Sequence, residues 1–177
     1  MDKVTIIKSL DETVIQFNEF VSKLKKDEFE ININNRWSAG QDLVHLIKVL
    51  RIVNIGFTLP KPILRLMYGI NKNENRSFEH LQQLYKKALE GGAKAPTIYI
   101  PKPVAFKEKD NLIQKHESLN KSFIDKLNSH TTSELDSYRL PHPILGKISL
   151  GELASFTSFH TSHHFESLKS KLGHLNT

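Results

Sequence analysis

Apolar residues return every three or four positions in four long stretches of the chain, the pattern of helices that each bury one face. The first stretch runs over about Lys3 to Lys26, with Val4, Ile7, Leu10, Val14, Phe17, Val21 and Leu24 in phase. The second begins at Ser38. In Ser38-Ala39-Gly40-Gln41 the serine oxygen accepts an amide proton and the glutamine reaches back, a capping box. Its stripe is Leu43, Leu46, Ile47, Leu50 and Val53. The third covers about Lys107 to Ser129, with Leu112, His116, Leu119, Phe123 and Leu127 in line. A second capping box, Ser149-Leu150-Gly151-Glu152, opens the fourth, which continues through Leu153, Thr157, His160, His164 and Leu168 to a stop at Gly173.

Between the second and third patterns lies an irregular, proline-rich stretch, about Phe57 to Ala105. It holds one shorter helix, about Ser77 to Glu90, ended by Gly91-Gly92. The segment Ala95 to Pro103 carries too many prolines for a central strand. Another loop, Leu140 to Lys147, leads into the last helix. The expected fold class is all-α: a four-helix bundle with a long crossover between its second and third helices, formed as one domain over residues 1–177.

Composition narrows the chemistry. The chain has no cysteine, so disulfides, thiolate ligands and a cysteine nucleophile are excluded, and a metal must be held by nitrogen and oxygen. The net charge of +6 is spread over helix faces, as in Lys23-Leu24-Lys25-Lys26-Asp27-Glu28, which reads as solvated surface and makes nucleic acid an unexpected partner. No apolar run is long enough for a transmembrane helix, so no membrane association is expected. The start, Met1-Asp2-Lys3-Val4, lacks the features of a signal peptide, and a cytoplasmic location is expected.

The candidate chemistry lies in the last helix. His160 and His164 are four residues apart and share its apolar, inward face. Two imidazoles aimed at a core are costly unless something satisfies them, and a divalent cation would. A third ligand should come from another helix. His45, about two turns into the second helix, is the best placed; His116, on the stripe of the third, is the rival, although a hydrogen-bonded core histidine is the plainer reading of it. Asp42 or Glu166 could orient a ligand from behind, and Glu166 is a weaker candidate for a proton shuttle. His163 is expected at the surface or behind the ligands, and His80, His130, His142 and His174 in solvent.

Three segments in register resemble a known family. Asn35-Arg36-Trp37-Ser38 through His45-Leu46 is similar to the segment that opens the second helix in the DinB-like superfamily, also called the YfiT-like metal-dependent hydrolases. His142-Pro143-Ile144-Leu145-Gly146-Lys147-Ile148-Ser149-Leu150-Gly151-Glu152 resembles that family's lead into the last helix, and His160 with His164 its paired histidines. The resemblance implies an up-down-down-up bundle, often a homodimer. It also implies a metal site of His45, His160 and His164 holding nickel, zinc or a similar divalent ion, open to a small-molecule substrate. Relatives of this kind include S-transferases that use a low-molecular-weight thiol, bacillithiol or mycothiol.

Two functions follow from this reading. A metal-dependent enzyme, hydrolase or thiol S-transferase, would activate water or a thiol at the site. A thiol cofactor would call for cationic partners for its carboxylates, with Arg65 or Arg76 of the crossover as candidates. The alternative is a non-catalytic, stress-related bundle whose metal is structural or absent, with His116 as the candidate to close the coordination sphere.

Overall fold

A computed structural model describes residues 2–33 and 36–173; Asn35 and His174 lie outside them. The four long helices are α1 (Lys3–Lys23), α3 (Ala39–Thr58), α6 (Lys109–Ser129) and α8 (Leu150–Gly173). Between them come α2 (Lys26–Glu30), α4 (Lys61–Tyr68), α5 (Phe78–Glu90) and α7 (Thr132–Ser137), with a hairpin of β1 (Arg139–His142) and β2 (Gly146–Ser149).

Both expected capping boxes form. Ser38 Oγ accepts from Gln41 N at 3.3 Å while Gln41 Oε1 accepts from Ser38 N at 3.0 Å. Ser149 and Glu152 exchange the same bonds at 3.0 and 2.9 Å. The first helix is shorter than its pattern. Leu24 is extended, and the carbonyls of Ser22 and Leu24 accept from Lys109 Nζ of α6, which satisfies the helix end and lets the chain turn into α2. Val4, in phase with the stripe, is exposed, and the buried face begins at Ile6. The third helix starts two residues later than expected, after a 3₁₀ turn at Phe106–Glu108.

Two apolar clusters fix the direction of each helix. One joins Ile6 and Leu10 of α1, Leu50, Val53 and Phe57 of α3, Phe123 and Leu127 of α6, and Leu150 to Phe156 of α8. The other joins Phe17 and Val21 of α1, Leu43 and Ile47 of α3, Leu112 and Ile113 of α6, and Leu168 and Leu172 of α8. From one cluster to the other α1 and α8 run one way, and α3 and α6 the opposite way. The bundle is therefore up-down-down-up, with α3 and α6 packed as parallel neighbours. Each spans about 30 Å, so the chain must travel back along the bundle before α6 can begin. That return is the crossover, and α4 and α5 lie on it.

Two elements depart from the expectation. The helix α4 begins at Lys61-Pro62, where the Pro-rich segment reads as a loop; a proline in the first turn gives up only an amide that has no helical partner. Leu140–Lys147, expected as loop, is mostly hairpin: Leu140 pairs with Ile148 and His142 with Gly146, whose φ of 73° closes the turn. Among the described residues, no single helix is long and apolar enough to cross a membrane.

Candidate metal centre

His45 lies on the second turn of α3, and His160 and His164 lie one turn apart on α8, antiparallel to it. Their levels coincide. His45 Nε2 is 3.4 Å from His160 Nε2, and His164 Nε2 is 3.2 Å from the same atom. All three nitrogens lie within 4.8 Å of one another. Ligands about 2.05 Å from a tetrahedral zinc ion stand about 3.4 Å apart, so this spacing suits a small divalent cation.

The far edges of two rings define which nitrogen carries the proton. His45 Nδ1 donates to the Tyr99 carbonyl at 3.1 Å. His164 Nδ1 donates to Asp42 Oδ1 at 2.9 Å, and Asp42 Oδ2 pairs with the buried Lys171 ammonium at 3.4 Å. Lys171 also donates to the Trp37 carbonyl, and the Trp37 ring stacks on His164 with the planes 8° apart. Both Nε2 atoms therefore present lone pairs. His160 Nε2 meets both and can donate to only one. Its Nδ1 is buried with no hydrogen-bond partner. Burial, and after it His164, pushes the His45 pKa down to about 4, and burial with the neighbouring histidines holds His160 well below its ordinary range. Two lone pairs that converge on His160 Nε2, which can satisfy only one of them, make the donor set a cation would satisfy.

The other candidates fall elsewhere. His116 stays out of the cluster. It is fully buried between α6 and α1 and donates from Nδ1 to Asn18 Oδ1 at 2.8 Å, the core histidine of the plainer reading. Burial pushes its pKa down to about 3. The unfolded chain binds a proton there below about pH 6.5, so the contribution of this group is complete above that pH and shrinks as acid approaches the folded value. His116→Leu is expected to flatten the acid limb of stability against pH by about 1.4 kcal/mol per unit between roughly pH 6.5 and 4, read from urea melts. An unchanged slope would show that His116 is not held neutral.

Glu166 is exposed and paired with Lys169, so it neither supports a ligand nor faces the site; its position on α8 turns it outward. Asp42 alone takes the supporting role. His163 is half-buried, its ring 5.8 Å from that of His164. His80 is exposed as expected, but His130 and His142 are not solvated. His130 is buried and donates from Nδ1 to the Lys126 carbonyl at 2.8 Å. His142 is turned inward by its hairpin. Arg76, a candidate for cofactor carboxylates, is committed to Glu152, and Arg65 is exposed on α4.

The three histidines line a cavity of about 410 Å³. Val49 and Val53 of α3, Phe156 of α8, Tyr85 of α5 and the hairpin form much of its wall, and no described residue lining it is charged at neutral pH apart from any protonated histidine.

The family model of the DinB superfamily matches residues 9–168. The chain belongs to the DinB superfamily. Among solved structures, this DinB-superfamily chain is similar to one described as "YfiT from Bacillus subtilis is a probable metal-dependent hydrolase with an unusual four-helix bundle topology". The two share 16% identity with a TM-score of 0.62, over 97% of this chain and 87% of that one, which establishes the shared fold. No curated protein matches the chain at a significant level.

Proposed function

We propose that this DinB-superfamily chain is a divalent-metal-dependent hydrolase, with His45, His160 and His164 as the protein ligands. The observation that carries the proposal is the convergence of the Nε2 atoms of His45, His160 and His164 in the wall of a largely apolar cavity. Bound there, a zinc or nickel ion supplies Lewis acidity and lowers the pKa of a water or thiol. Three protein ligands leave room for a further group, the arrangement of a catalytic rather than a structural site. Asp42 and the Tyr99 carbonyl hold two of the rings in the tautomer that binding requires, and Lys171 keeps Asp42 in place. The description of YfiT as a probable metal-dependent hydrolase points the same way.

Thiol transfer is the second reading, and the cavity argues against it. A thiol cofactor with carboxylates calls for lysine or arginine close by, and the described lining has neither. The test is turnover of uncharged esters by protein purified without a histidine tag. The expected result is about one zinc or nickel ion per chain and hydrolysis that a chelator abolishes and the ion restores. Hydrolysis unaffected by chelation would reject the proposal, and turnover only when a small thiol is added would favour the transferase.

A further inference from the structure

Among the described residues, His142 is the one histidine whose partners are all backbone amides. Its Nδ1 accepts from Ile144 N at 3.2 Å and from Leu145 N at 3.1 Å, inside the turn of the hairpin. An imidazole nitrogen that accepts cannot carry a proton, so the ring is fixed as the Nε2–H tautomer. Protonating Nδ1 would set three N–H groups against one another. Burial, and after it Arg76, pushes the pKa down to about 4, in keeping with that arrangement. The ring packs edge-on to Phe156, centroids 4.7 Å apart, and Phe156 in turn stacks on His160 at 5.8 Å. His142 lines the cavity, and among the described residues its Nε2–H has no partner.

Around it the wall is apolar. Thr157 gives its hydroxyl proton to the Leu153 carbonyl. Tyr68, Tyr85 and Tyr99 also line the cavity, but a tyrosine hydroxyl rotates and can donate or accept. His142 can only donate. We infer that His142 is a fixed hydrogen-bond donor to the substrate, and that the cavity takes an uncharged, largely apolar compound carrying a carbonyl-type acceptor. The inference rests on the cavity being the substrate site of the proposed hydrolase. It adds the class of compound and the residue that orients it. A rigid donor opposite an apolar wall orients an acyl oxygen, and it penalises a compound that offers only N–H or ammonium groups, since two donors would face each other.

Two substitutions separate this role from support of the turn. In His142→Asn the side-chain oxygen reaches the Nδ1 position and accepts the same two amides, while its amide nitrogen takes the Cδ2 position and leaves no donor at the Nε2 position. In His142→Gln the amide nitrogen reaches the Nε2 position and can donate, while the turn loses its acceptor. Trp37, the only tryptophan, lines the cavity, so its fluorescence reports occupancy. The probes are N-propylbenzamide, butylbenzene and 4-phenylbutanoate, titrated into full-length protein both stripped with chelator and loaded with zinc. Wild type is expected to bind the amide, to bind butylbenzene more weakly and to reject the carboxylate. H142N is expected to melt like wild type yet lose about five- to tenfold in amide affinity with butylbenzene unchanged; H142Q is expected to keep the amide affinity. Full amide affinity in H142N, its loss in H142Q, carboxylate binding equal to the amide, or no amide binding by wild type would each overturn the inference. Because the stripped protein is read separately, failure of the metal reading shows as equal zinc content in wild type and a triad variant, not as a change in this comparison.

Discussion

Replacing His160 with leucine is expected to reverse the order of stability with and without metal. In chelated protein His160 is an expense: it is buried, its Nδ1 has no partner, and its Nε2 faces two lone pairs. A side chain of similar volume without polar atoms removes an unsatisfied group that costs about 1–3 kcal/mol. His45 and His164 both border the cavity, so water can reach the nitrogens that lose this neighbour. Chelated H160L should therefore unfold at or above the urea midpoint of chelated wild type. With free zinc or nickel roughly a thousandfold above its Kd, wild type should gain about 4 kcal/mol and the variant almost none. Urea melts of both proteins in chelator and in metal check the reversal. An equal loss in the two conditions would make His160 an ordinary packing residue and remove the basis for a metal.

Glu152→Ala is expected to cost about 3 kcal/mol in both conditions. Glu152 Oε1 accepts from Arg76 N at 2.8 Å and Nε at 2.9 Å, and Oε2 accepts from Arg76 Nη2 at 3.1 Å and Ser149 N at 2.9 Å. Burial raises the carboxyl pKa, but the bonds from Arg76 outweigh it and the net shift is downward. Truncation strands a partly buried guanidinium and removes the glutamate half of the capping box of α8 in one step. The Arg76 side chain is 29% exposed, which places the loss at the lower end of the range for breaking a buried pair. Urea denaturation measures the loss, and limited proteolysis before α5 should rise with it. A change below about 1 kcal/mol would show that water replaces Glu152 at no cost.

The bundle and the candidate centre were largely legible in the sequence, because both rest on helical periodicity. His160 and His164 share a face by spacing alone, and Ser38-Gln41 and Ser149-Glu152 mark where two helices start. The positions that were missed depend on contacts the spacing does not encode. Pro60 and Pro62 look like breakers, yet one opens α4 and the other sits in its first turn. Pro141 argues against a strand, and it pairs only within a two-stranded hairpin. Glu166 and Asp42 look equally able to support a ligand until the rotation of α8 sends one outward. Arg76 looks free until the crossover brings it to Glu152. His142 looks like a loop histidine, since its partners are the amides of Ile144 and Leu145 rather than side chains.

The parallel packing of α3 and α6 also bears on how quickly the protein assembles. Helices that alternate up and down can zip together through near neighbours in the chain. Here residues 59–108 intervene before α6 can dock on α3, and loop-closure entropy must be met before those contacts reward it. The same detour carries Tyr85 and the carbonyl that accepts from His45, so the pocket is roofed by the segment that topology obliges to exist. Refolding slower than that of an alternating bundle of equal length is the kinetic cost of a fold that comes with its own lid.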